Sequence, residues 1–350
     1  LVSAIMSIVG IVSARAVLML LNTPESILDD AVLYMRVSCA GILAIAAYNG
    51  VAAVLRALGD SRTPLYFMVV ACIINIALDL VFVIVCQWSV FGVALATVIA
   101  QLVAAIGAFI YAFCKIPILR VNKECRRVKP DIMEKCFRLG FPIALQNSLI
   151  AFSCIFLQRV VNGFGEDAVA AFTAGSKIEQ IFTQAYVAQG TASATYNAQN
   201  IGAGKLERVR EGFRASHFIG IVYSIIVGGF LFFAGKYFAY LFISDNIEEV
   251  LPMVAIYVKC VALFFIPLYF VNVLRNGIQG MGYGLLPMMA GVAELAGRGI
   301  TATIAAGRSS YIGTCLASPV AWIFATVLLW GMYFYVMKDM SRKLYGTNKL

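Results

Sequence analysis

The chain has 350 residues, 61% of them hydrophobic and 13% charged, with a net charge of +9 and a mean hydropathy of +0.88. A soluble domain carries roughly 25% charged residues and about half apolar ones, so this composition excludes a single water-soluble globule and calls for a bilayer as solvent. The positive balance does not argue for nucleic acid, because the basic residues sit in short loops between apolar runs, as orientation signals do.

A run of about 20 apolar residues suffices for one helix to cross a bilayer. In chain order the predicted spans are 2–21, 32–55, 65–85, 91–113, 138–161, 168–195, 216–242, 251–274, 285–306 and 311–336. The chain opens at Leu1 inside an apolar run, so the reading expects a fragment of a longer protein. One set of connections is basic: Arg56–Arg62, Lys115–Arg138, Lys205–Arg214, Arg275 and the tail from Lys338 to Lys349. The alternate set is mostly acidic or neutral: Glu25–Asp30, Cys86–Val90, Gly163–Asp167, Asp245–Glu249 and Gly307–Ser310. The positive-inside rule then places the basic set, and both chain ends, in the cytoplasm. The connection from Lys115 to Arg138 holds eight basic residues and reads as a solvated linker touching anionic lipid headgroups.

The nine cysteines (Cys39, Cys72, Cys86, Cys114, Cys125, Cys136, Cys154, Cys260, Cys315) form no CxxC pair. They read as small packing residues rather than a disulfide or zinc framework. The single histidine, His217, is expected at the start of a helix.

A shift of 223 positions reveals an internal repeat. Glu25 meets Glu248, Tyr34 meets Tyr257, Arg36 meets Lys259, Asn49 meets Asn272, Gly59 meets Gly282 and Pro64 meets Pro287. A shift of 221 then pairs Gly92, Leu95 and Ala96 with Gly313, Leu316 and Ala317. Four spans repeat as a block, while 138–161 and 168–195 have no partner, which implies two helices missing before Leu1. The expected organisation is a four-span lobe remnant at 1–114, a basic linker at 115–137, a six-span lobe at 138–337 and a tail at 338–350. Two like bundles form a known transporter plan with the substrate path between them.

Polar residues inside spans are costly and tend to be functional or paired. Asn75 and Asp79 stand four apart, hence on one helix face. The unpaired carboxylate offers a hard oxygen ligand for sodium or a site for a proton. Glu294 and Arg298, also four apart, read as a structural ion pair lining a cavity. In span 168–195, positions 176, 180, 183, 184, 187 and 191 trace a face that is polar at Ser176, Gln180, Thr183, Gln184 and Thr191. Gln146 and Asn147 could join it, and Glu179 lies beside it. Asn49, Glu179, Gln180, Gln184, Gln146, Asn147, Asn272, Glu294 and Arg298 form the predicted substrate-cavity set. Pro267 and Pro319 fall deep inside spans and permit kinks.

The stretches Leu55–Pro64 (LRALGDSRTP), Asn75–Asp79 (NIALD), Gly92–Gln101 (GVALATVIAQ), Ala168–Glu179 (AVAAFTAGSKIE), Gln199–Arg208 (QNIGAGKLER) and Gln279–Pro287 (QGMGYGLLP) together resemble the multidrug and toxic compound extrusion (MATE) family. The resemblance implies a twelve-helix antiporter of two six-helix lobes exporting organic cations against sodium or protons. The present chain would then be helices three to twelve. It further implies cation coupling through Asn75, Asp79 and Thr97, with Asp79 as the sodium ligand if sodium is used. The family's other carboxylate at this site belongs to a first helix absent from this sequence. An acidic coupling residue in the second lobe is not matched, since Gln146 and Asn147 stand there.

The fold expected is therefore an all-α integral membrane protein of about ten transmembrane helices in two repeat-related bundles. It would act as a cation-coupled antiporter in the plasma membrane, as a monomer, with no cofactor, no nucleic acid and no enzymatic activity. The rival readings are a flippase for lipid-linked saccharides, an inactive membrane fragment, and a membrane-embedded enzyme, for which no catalytic cluster is found.

Overall fold

The computed structural model describes residues 2–20, 25–119, 129–243 and 247–346. Cys125, most cations of the expected linker, Asp245 and the end of the tail fall outside the described residues. The chain divides into two compact units, residues 1–127 and 128–350. Among the described residues every regular element is helical.

The first unit contains α1 (Val2–Leu20), α2 (Glu25–Ala40), α3 (Ile42–Ala57), α4 (Arg62–Leu80) and α5 (Ser89–Lys115). α4 continues into a π-helical turn, Val81–Val85. α2, α3 and α4 all pack on α5. The sequence permits this because Ala96, Ala100, Ala104, Ala108 and Ala112 recur at every fourth position and are buried. Within lipid, such small residues let helix backbones approach closely.

The second unit contains α6 (Pro130–Asn162), α7 (Glu166–Gly202), α8 (Leu206–Ala234, continued by a 3-10 turn to Leu241), α9 (Ile247–Ala262), α10 (Phe265–Gly280), α11 (Leu285–Gly307), α12 (Tyr311–Cys315) and α13 (Ala317–Tyr345). α11 packs on α6 and α13, and α10 packs on α7 and α13. Tyr186 receives Phe265 and Tyr269 edge-on, with ring centroids 5.9 and 5.8 Å away. Only glycine fits at position 220, because a Cβ there would overlap the Tyr269 ring.

Among the described residues, seven helices are long and apolar enough to cross a membrane, or eight if the bent pair α9–α10 is one span. The predicted spans 168–195 and 285–306 fall on α7 and α11, which are long but too polar to be among them. The span predicted at 138–161 begins earlier, at Pro130. α9 and α10 meet at 52°. Pro267 stands in the first turn of α10, and Pro319 in the first turn of α13. The expected kinks are thus helix restarts, where proline's missing N–H costs no intrahelical bond. His217 lies well inside α8 rather than at its start.

The repeat is visible in backbone detail. Gly59 and Gly282 have φ of +92° and +91°, a region open to glycine at little cost. Asp60 N donates to Leu55 O at 2.9 Å, and Tyr283 N donates to Ile278 O at 3.4 Å, closing equivalent turns. The break at Gly41 between α2 and α3 corresponds to Phe264 between α9 and α10.

Candidate functional site

In the first unit, α4 carries Asn75 and Asp79 one turn apart. Asn75 Nδ2 donates to Thr97 Oγ1 of α5 over a long 3.4 Å, and Thr97 Oγ1 donates onward to Val93 O at 3.1 Å. Asp79 Oδ1 is shielded from solvent and has no hydrogen-bond partner. A shielded carboxylate oxygen without a partner is unusual enough to require an explanation. Asp79 also sits two residues before the π-helical turn Val81–Val85, a distortion often found at functional sites. Among the described residues no group of three or more His, Cys, Asp or Glu side chains could hold a metal. An ion here would be held by mixed oxygens from Asp79, Asn75 and Thr97, which suits a hard cation.

The predicted cavity residues divide into two kinds. Asn49, Asn147, Gln180 and Gln184 are exposed. Asn272 is half-buried and donates to Leu268 O of its own helix. Gln146 is 1% exposed, donates to Pro287 O at 3.0 Å and accepts from Gln279 Nε2 at 2.8 Å. It therefore bridges α6, α10 and α11 and does not line an open surface. Half-buried Glu179 accepts from Tyr257 OH at 2.6 Å. On the polar face of α7, Ser176, Thr183 and Thr191 donate back to their own helix.

Glu294 and Arg298 pair at 3.8 Å as expected, with both side chains 4% exposed. Glu294 has a closer partner, Arg275 of α10. Arg298 also donates to Ser153 Oγ. The two guanidiniums share one carboxylate, and their Nε atoms have no partner. Sequence reasoning missed Arg275 because it placed this residue in a cytoplasmic connection, one position past a span ending at 274. Arg275 lies inside α10 and is committed to an ion pair, so it is not a loop cation. Its position eight residues after Pro267 and five before Gly280 was the available signal.

The eight described cysteines form no disulfide, and only Cys315 among them is buried. Most are exposed and therefore do not serve as core packing.

The MatE family model matches residues 1–81 and 142–301, and the chain belongs to the MatE family. It is 32% identical over 280 residues to the probable multidrug resistance protein YpnP of Bacillus subtilis, spanning 80% of this chain and 62% of that protein. It is 26% identical to the FAD transporter of Shewanella oneidensis over 81% of this chain and 62% of that one. The chain thus spans less than two thirds of these relatives. A solved MOP superfamily transporter from Pyrococcus furiosus shares its fold, with a TM-score of 0.88 at 20% identity over 99% of this chain and 77% of that one.

Proposed function

We propose that the chain is the greater part of a multidrug efflux antiporter that exports organic cations against sodium or protons. In this reading α7 and α11 also cross the plasma membrane, making ten crossings with both chain ends in the cytoplasm. The observation that carries the proposal is Asp79. Its Oδ1 is shielded and lacks a partner, one turn from the Asn75–Thr97 pair, in a helix of apolar residues where an ionisable group is expensive.

Coupling requires only that the two ligands favour different conformations. A sodium ion or proton at Asp79 would stabilise the state that releases drug outside. Drug binding would stabilise the state that releases the ion inside. Asn75 and Thr97 would orient and complete the oxygen set around Asp79. The exposed amides Asn49, Asn147, Gln180 and Gln184 could meet substrate, whereas Gln146, Glu294 and Arg298 would hold helices in place.

The test is ethidium efflux from drug-sensitive bacteria that express the protein. Asp79→Asn is expected to remove energised efflux without lowering the amount of protein in the membrane. Unimpaired efflux by that variant would refute the assignment.

A further inference from the structure

Beside the turn from α10 to α11, the second unit opens a cavity of about 510 Å³ lined by Lys135, Arg138 and Leu139 of α6, Tyr283 and Leu286 of the turn region, and Tyr335 of α13. Lys135 and Arg138 stand three apart and so share a helix face. Both are exposed, and neither has an ion pair or hydrogen bond among the described residues. Asp131 and Glu134 lie four residues before them on α6 but do not reach ion-pair distance. The nearby Asp339 is already engaged by Lys343 at 2.7 Å and by Tyr283 OH. No acidic residue lines the cavity, so its two cations are uncompensated.

The internal repeat supplies an independent comparison. In the first unit, Asp60 Oδ1 accepts the N–H groups of Arg62 at 3.2 Å and Thr63 at 3.0 Å in the first turn of α4. The position equivalent to Asp60 is Tyr283, and α11 begins without any side-chain cap. The second unit thus lines this cavity with two cations, and the start of α11 lacks the carboxylate that Asp60 supplies at the start of α4. On the flank, Phe137 and Phe141 stack at 5.5 Å and stay exposed, as do Met133 and Leu285.

We infer that this cavity binds the headgroup of an anionic phospholipid, with Lys135 and Arg138 contacting the phosphate and the apolar flank of α6 taking the acyl chains. Basic pockets between transmembrane helices suit such headgroups. A free phosphate would have no use for the apolar flank. The inference rests on the proposed orientation, which puts this end of α6 at the cytoplasmic leaflet.

The purified full chain, stripped of lipid, is offered equal amounts of phosphatidylglycerol and phosphatidylcholine with matched acyl chains, and retained lipid is counted by native mass spectrometry. Phosphatidylglycerol should be favoured about tenfold, as two surface cations allow. That preference should vanish in K135Q/R138Q and survive in K135R/R138K. Equal retention of both lipids, or an unchanged preference in K135Q/R138Q, overturns the site. Displacement of the lipid by millimolar inorganic phosphate would overturn it in favour of a free-phosphate site.

Exposed Cys136, next to Lys135, reports the membrane side through an impermeant maleimide in a variant whose other cysteines are serine. Labelling from outside overturns the orientation and the leaflet assignment, whatever the lipid preference. Labelling from inside without a preference overturns the headgroup site alone and leaves the transporter reading standing.

Discussion

Glu294 serves two guanidinium groups, from Arg275 and Arg298, and all three side chains are largely removed from solvent. Glu294→Gln would leave two buried cations facing each other without a counter-charge. Removing one partner of a buried pair costs about 3–5 kcal/mol, so the melting temperature of E294Q in detergent should fall sharply. An unchanged melt would mean the cluster is solvated or reorganises. The outer pair was legible in sequence because four residues on one helix put Glu294 beside Arg298. The pair to Arg275 was not, since it joins two helices across the turn at Gly282. The same limit separates Asn75 and Asp79, recognisable from their spacing, from Thr97, which came only with the family resemblance.

At the loop before α4, hydrogen bonds from Thr63 hold the Asp60 carboxyl below its usual value of 3.8. A depressed carboxylate pKa contributes stability that is present above the unfolded-state value and lost as pH falls through the lower folded-state value. Asp60→Ala should therefore destabilise the protein at neutral pH, by about 0.5–2 kcal/mol on the scale of helix caps. The difference between variant and parent should shrink below pH 4. A gap that persists at low pH would show that Asp60 acts through something other than its charge.

Among the helices, the turns after α3 and α10 are the clearest case of one solution used twice. Gly59 and Gly282 both adopt a left-handed conformation, which costs other residues about 1–2 kcal/mol. Gly59→Ala and Gly282→Ala should each lower thermal stability by a similar amount. A loss confined to one of them would separate the two turns. Gly220→Ala should cost more than either, because its Cβ meets the Tyr269 ring inside the core, and overpacking costs about 1–3 kcal/mol.

Element boundaries were readable where proline, glycine or charge interrupts an apolar run. Pro267 and Pro319 carried a real signal, but each marks a helix restart rather than a bend in a continuous rod. α7 and α11 were harder to place, because Glu179, Gln180 and Gln184 in one and Glu294 and Arg298 in the other dilute the apolar pattern. Tyr257 shows what such dilution hides: its hydroxyl bonds Glu179 of α7. Its repeat counterpart Tyr34 is 45% exposed, and among the described residues α7 has no counterpart in the first unit.

For the molecule as a whole, the sequence repeat is expressed as matched turns, matched helix breaks and matched glycine conformations. Membership of the MatE family agrees with that plan. The two units divide the polar chemistry between them. Asp79 in the first unit keeps an unpartnered oxygen, while Glu294, Arg275 and Arg298 of the second unit are engaged in holding α6, α10 and α11 together.

The measurement that tests this division most directly is ion-driven flux of an organic cation in proteoliposomes, with a sodium gradient and a pH gradient imposed separately. The account predicts that one of the two gradients drives flux through the parent protein. Asp79→Asn should abolish that flux while its melting temperature stays near the parent's. Gradient-driven flux that persists in the stable Asp79→Asn protein would contradict the assignment of Asp79 as the coupling site.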